Sequence, residues 1–244
     1  MERHIEKFLR YLEIEKNSSP HTLLNYRLDL EDFAGFIKGT DVEKIDYLLV
    51  RKYLARLKEK NLTARSVARK LSSLRSLFRF LIKEGFLKLN PTDAIHSPKQ
   101  DKSLPKFLTE ADVIKLIEAP DRDTLKGLRD TAILETLYST GMRVSELVSL
   151  TEEAIDFIGA TVRVLGKGKK ERMLPIGERA LRAIRNYLKK RNVQTRIVFL
   201  NKNKKQLGAR GIRKMMDVYI RKISLKEHIS PHTMRHSFAT HLLD

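Results

Sequence analysis

The chain of 244 residues contains no cysteine. It therefore holds neither a disulfide framework nor a thiolate metal site, and it suits a reducing compartment. No stretch approaches the roughly 20 apolar residues that a membrane span requires. The opening segment MERHIEKFLRYLEIEK carries a charge every few residues and no apolar centre, so it does not read as a signal peptide. Walker A, GxGxxG, GxSxG and HExxH patterns are absent, and so are internal repeats. Residues 166–170, GKGKK, lack the spacing and the following helix of a phosphate loop. Acidic residues are also scarce: 30 Asp and Glu face 49 Lys and Arg, a net charge of +19. With 41% hydrophobic residues the chain can still bury real cores, which excludes a disordered basic tail. These features predict a soluble, cytoplasmic protein with no membrane association, whose partner is a polyanion, nucleic acid first.

Most of the chain reads as helix. Ile5, Phe8, Leu9 and Leu12 step by three and four, and Ser18-Ser19-Pro20 caps a second helix carrying Leu24, Leu28, Phe33 and Ile37. Residues 47–60 and 63–84 repeat the pattern, the latter with Leu71, Leu74, Leu77, Phe78, Leu81 and Ile82 on one stripe. Four such helices enclose one small core. Asn90-Pro91 and Ser97-Pro98 then interrupt it, and residues 97–106 read as a linker between domains at 1–96 and 107–244. Basic residues outnumber acidic ones 19 to 13 up to residue 98 and 30 to 17 beyond it, so both halves should touch the same polyanion.

The second half starts with a capped helix at Thr109-Glu110-Ala111-Asp112, then helices near 127–139 and 143–150. Two short strand-like runs, 161–165 and 171–176, flank a Gly- and Lys-rich turn and predict a hairpin. Helices resume at 178–191, at 209–223 and from Pro231.

Three clusters carry chemistry. In Thr140-Gly141-Met142-Arg143-Val144-Ser145-Glu146 a glycine brings Arg143 to a helix N-terminus that favours an anion, and Glu146 lies one turn on to fix the guanidinium. The bland alternative is a surface Arg–Glu pair. The hairpin tip holds Lys167, Lys169, Lys170 and Arg172, which can place an ammonium near a phosphate or merely blunt a sheet edge. In Ser230-Pro231-His232-Thr233-Met234-Arg235-His236 the serine and proline start a helix, and His232 and Arg235 share a face near its positive end. An imidazole beside a guanidinium suits phosphoryl chemistry. His232 and His236 are spaced for a metal, but no carboxylate or Cys lies nearby in sequence, so no metal and no cofactor is expected; His236 and His241 read as packing or surface residues.

Taken together, these segments resemble the tyrosine recombinase (phage integrase) family, and most of all its cellular Xer-type members. Thr140 to Leu147 is similar to the family's TGxRxSEL segment, Lys167 to Arg172 to its GKGxKER hairpin at the expected 24 residues past Arg143, and Ser230 to Leu243 to its SPHxxRHSFATHLL box. Residues 19–33 and 68–99 are similar to parts of its core-binding domain. The resemblance implies a mainly α protein with a small β-sheet: an N-terminal four-helix, SAM-like core-binding domain and a C-terminal α+β catalytic domain. It implies catalytic roles for Arg143, Lys167, His232 and Arg235, with Glu146 orienting Arg143. Arg69, Lys70, Arg75 and Arg79 lie on the helix that the family turns toward DNA; Lys169 on the hairpin and Arg210, Arg213 and Lys214 on a second basic helix are further candidate DNA contacts.

The implied activity is site-specific recombination of double-stranded DNA through a 3′-phosphotyrosyl intermediate, without metal or nucleotide, by four like or unlike protomers around two duplexes. Dimer resolution of chromosomes or plasmids is favoured over mobile-element integration. In the family the HxxR box is followed by a GH or GW box and then the nucleophilic tyrosine; here Asp244 follows it directly, and all seven tyrosines precede it. The catalytic domain is thus expected to be incomplete and these residues inactive alone. A non-cutting DNA-binding regulator is the alternative.

Overall fold

The computed structural model describes residues 1–99, 107–166, 170–225 and 229–242. The chain forms two compact units, Met1–Ser103 and Leu104–Asp244. Of the linker expected at 97–106, residues 100–106 lie outside the described residues.

The first unit holds α1 (Glu2–Ile14), α2 (Pro20–Phe36), α3 (Tyr47–Glu59) and α4 (Ala64–Lys83). Side-chain caps start three of them: Ser19, Asp46 and Thr63 accept from the backbone N–H groups of Thr22, Leu49 and Ser66. Leu71, Leu74, Leu77, Phe78 and Leu81 line α4 toward a core shared with Ile5, Phe8, Leu30, Phe33 and Tyr53. The stripe expected on α2 is partly wrong: Leu24 and Leu28 are 52% and 55% exposed, and the inward positions are Asp29, Leu30 and Phe33. Ile37 is buried just past the end of this helix, and Ile82 is only half-buried.

Asp29 explains the shift of face. Its buried carboxylate accepts from Arg69 Nη1 and from Ser73 Oγ at 2.9 Å, with Lys70 Nζ 3.5 Å away. Turning it inward rotates α2 so that Leu24 and Leu28 point outward.

The second unit is built around α6 (Leu125–Thr140), which packs against α5 (Glu110–Glu118), α7 (Val144–Val148), α8 (Glu178–Lys190) and α10 (Pro231–His241). It is buried on several sides, and its buried Thr136 and Thr140 hydroxyls satisfy themselves on the carbonyls of Ala132 and Thr136, each at 2.7 Å. The α9 helix (Ala209–Lys222) is tied to α6 through Asp130, which accepts from Tyr219 Oη at 2.9 Å and is paired with Arg129.

The expected hairpin is present as β2 (Thr161–Leu165) and β3 (Glu171–Pro175), antiparallel in the register Val162 opposite Leu174 and Val164 opposite Arg172. A two-residue strand, β1 (Ile155–Asp156), extends it to three strands in the order β1-β2-β3. So short a strand carries too little alternation to be read in advance.

Candidate active site

Local rules place the first arginine. Gly141 ends α6 at φ 57°, a left-handed conformation that glycine adopts without strain, and its N–H donates to the Leu137 carbonyl at 3.1 Å. The chain turns, buries Met142 and presents Arg143 as the cap residue of α7. Glu146 reaches back to the Arg143 backbone N–H at 2.7 Å and accepts from Arg143 Nη1 at 3.1 Å. The pair is not wholly on the surface: the Glu146 side chain is only 3% exposed, whereas that of Arg143 is 52% exposed. The expected help from a helix dipole is small, since α7 has five residues and few aligned peptides.

The second arginine comes from α10, started by Ser230, which accepts from the Thr233 N–H, and by Pro231 in the first turn. Pro231, Met234 and Ser237 face inward, where Ser237 Oγ accepts from the Leu108 N–H at 2.8 Å. Arg235 sits at the edge of that buried stripe, and its Nη1 is buried with no hydrogen-bond partner among the described residues. Burial, then the charges of Arg143 and Arg172, lower its pKa from the ordinary value, and Glu146 opposes this in part. Arg143, Arg172, Arg235 and Glu146 therefore form one electrostatic cluster of three cations and one anion. Such a cluster favours an incoming anion that offers acceptors to guanidinium forks.

Arg172, which the sequence places among the cations of the hairpin tip, lies instead within the strand β3 and joins this cluster. Its Nη2 donates to both Glu146 oxygens, at 2.9 and 2.8 Å. Alternation held the signal: Arg172 shares a strand face with Leu174 and lies opposite buried Val164, so it points inward from the sheet.

The other predicted residues fall in different places. Lys167 and Lys169 lie outside the described residues. His232 is exposed, with its ring 4.8 Å from that of His236 in an edge-to-face arrangement. On α4, Arg79 is exposed, whereas Arg69 and Lys70 are paired with Asp29 and Asp32 and Arg75 donates to the Ile95 carbonyl. Lys70 is the clearest departure from a solvated basic face: its side chain is 12% exposed, held on Asp32 at 2.8 Å. Arg210, Arg213 and Lys214 are exposed on α9. The three tyrosines of this unit are engaged elsewhere: Tyr138 Oη pairs with His241 Nδ1, Tyr187 is buried, and Tyr219 is held by Asp130.

Comparison with known proteins identifies the family. The model for the phage integrase family matches residues 106–244, and the model for the phage integrase N-terminal SAM-like domain matches residues 5–85. A tyrosine recombinase XerC from Oceanobacillus iheyensis is 44% identical, covering 100% of this chain and 84% of the relative. A tyrosine recombinase XerD from Staphylococcus aureus is 39% identical, covering 100% and 86%. Among solved structures, the Tn1549 transposon integrase in complex with transposon right end DNA superposes with a TM-score of 0.81 at 20% identity, covering 98% of this chain and 86% of that one. A lambda integrase tetramer bound to a Holliday junction gives 0.76 at 18% identity, covering 98% and 71%. These two likenesses concern the fold. No helix among the described residues is long and apolar enough to cross a membrane. With both family models matched and relatives near 40% identity along the whole chain, this protein belongs to the phage integrase family of tyrosine recombinases.

Proposed function

We propose that the chain acts in Xer-type site-specific recombination of duplex DNA, with the Arg143–Arg172–Arg235 cluster as the site of the scissile phosphate. The observation that carries this reading is Arg235 Nη1, a buried guanidinium donor without a partner among the described residues, in a cluster with the guanidiniums of Arg143 and Arg172 and the already engaged carboxylate of Glu146. A buried donor left unmade costs free energy, and a phosphate oxygen is the partner that suits it.

In this reading Arg143 and Arg235 hold the two non-bridging oxygens and stabilise the charge of the pentacoordinate transition state. A tyrosine oxygen attacks phosphorus, the bond to the 5′-oxygen breaks, and Lys167 gives that oxygen its proton. His232, exposed at the start of α10, assists proton transfer at the phosphate or the tyrosine. The phosphotyrosyl link conserves the bond energy, so rejoining needs no nucleotide and the chemistry needs no metal. None of the seven tyrosines of the sequence is assigned as nucleophile, so these residues by themselves form no covalent adduct with DNA.

Residues 1–96 and 107–244 act as two DNA-binding domains joined by 97–106, gripping one duplex mostly through phosphates. Arg79, Lys169, Arg210, Arg213 and Lys214 contribute directly; Arg69, Lys70 and Arg75 do so while anchored by their neighbours. The working assembly is a tetramer of like or unlike protomers on DNA, and dimer resolution is the biological role. Strand cleavage by a version extended to carry the nucleophilic tyrosine tests the reading. Arg143→Ala is expected to abolish cleavage and leave DNA binding nearly intact; equal loss of both refutes the catalytic role.

A further inference from the structure

We propose that Arg172 is a positioning residue of the phosphate site: by saturating the Glu146 carboxylate it keeps that acid away from Arg235, leaving Arg235 open to an anion. The proposal rests on the reading of the arginine cluster as a phosphate site.

The bond inventory of Glu146 carries it. A carboxylate offers about four acceptor positions. Here Oε1 accepts from Arg143 Nη1 at 3.1 Å and Arg172 Nη2 at 2.9 Å, and Oε2 accepts from the Arg143 backbone N–H at 2.7 Å and Arg172 Nη2 at 2.8 Å. Half of these bonds come from Arg172. The carboxylate is buried, so positions that Arg172 vacated would not be filled cheaply by solvent.

Arg235 is a candidate to replace it: its Nη1 is buried with no hydrogen-bond partner among the described residues, and the charge of Glu146 acts on it. An unsatisfied buried carboxylate and an unsatisfied buried guanidinium in reach of each other pair up. A phosphate would then have to displace Glu146 before it could reach Arg235. Arg172 prevents this exchange, and it does so from β3, the strand that follows the hairpin turn. The position of the hairpin and the availability of Arg235 are thereby linked through one carboxylate.

The experiment follows the arginine Nε–Hε signals of the 15N-labelled chain by NMR during titration with inorganic phosphate. In the wild type, Arg143 and Arg235 are expected to shift together on one isotherm. R172Q should weaken phosphate binding about tenfold, the scale of one charge-assisted contact. R172K, which keeps a cation in reach of Glu146, should recover most of the loss. The decisive comparison is R172Q/E146Q, which should bind phosphate more tightly than R172Q because the competing carboxylate is gone. A merely structural Arg172 predicts the opposite order, since two anchors are then missing. If R172Q loses the native amide spectrum, R172M and R172M/E146Q, which likewise withdraw both bonds from Glu146, supply the same comparison. Wild-type affinity in R172Q, or a double variant no tighter than the single one, overturns the positioning role. A wild type whose Arg143 and Arg235 signals do not respond overturns the phosphate reading beneath it.

Discussion

Replacing Gly141 by alanine perturbs the junction where the two arginine-bearing segments meet. Gly141 ends α6 two residues before Arg143, and on its open side lies Phe238, three residues after Arg235 on α10. A Cβ at position 141 would fall 2.4 Å from Phe238 Cδ1 and 2.8 Å from Cε1. Carbon atoms rest about 3.5–4.0 Å apart, so the ring must retreat by about 1 Å. Overpacking of this kind costs about 1–3 kcal/mol. The left-handed backbone adds about 1 kcal/mol for a residue with a Cβ. The expected loss is therefore about 2–4 kcal/mol in the second unit.

Hydrogen exchange at the residue 141 amide, bonded to the Leu137 carbonyl, reads this loss locally and does not depend on two-state unfolding of a two-unit chain. Gly141→Ala should speed that exchange and weaken phosphate binding, because α10 moves Arg235 away from Arg143. Adding Phe238→Leu should return the steric share of the loss and leave the backbone share. An exchange rate within about 0.5 kcal/mol of wild type would refute the close approach of the two segments.

Two further outcomes follow from buried carboxylates. Asp29→Ala takes the buried acceptor from Arg69 and Ser73, while Lys70 keeps Asp32, and should destabilise the first unit by about 1–2 kcal/mol, measured by urea unfolding of the whole chain; an unchanged midpoint would mean that the pairing is idle. Glu135, in a cleft among α5, α6 and α8, has its pKa raised by burial, with Arg179 and Arg122 opposing. The raised value means that the folded state disfavours its charge. The penalty is absent below the unfolded pKa, builds as pH rises toward the folded pKa and is complete above it. Glu135→Gln should therefore raise Tm at pH 7 and leave it unchanged near pH 4; equal shifts at both would disprove the burial cause.

Much of the site was legible before any fold was known. The capped starts at Ser19, Thr109 and Ser230, the turn at Gly141 and the pairing of β2 with β3 all follow from rules spanning a few residues. So does the bond between Arg143 and Glu146, because residues three apart on a helical turn face each other. Leu24 and Leu28 misled for a specific reason. Periodicity counts apolar residues, whereas the buried face of α2 is set by Asp29, whose partners Arg69 and Ser73 lie 40 and 44 residues away.

The sequence alone thus determined the helices, their caps, the hairpin and the family that its motifs resemble. It determined two arginines presented by separate local signals, which the resemblance assigns to one site, but not the contacts that hold them. Only the tertiary structure decided that Arg172 turns inward onto Glu146 and that Arg235 keeps a buried Nη1 with no partner among the described residues. The physical reason is range. Local geometry follows from backbone dihedrals and neighbouring side chains, whereas the meeting of β3, α7 and α10 depends on how the faces of distant elements bury together around α6.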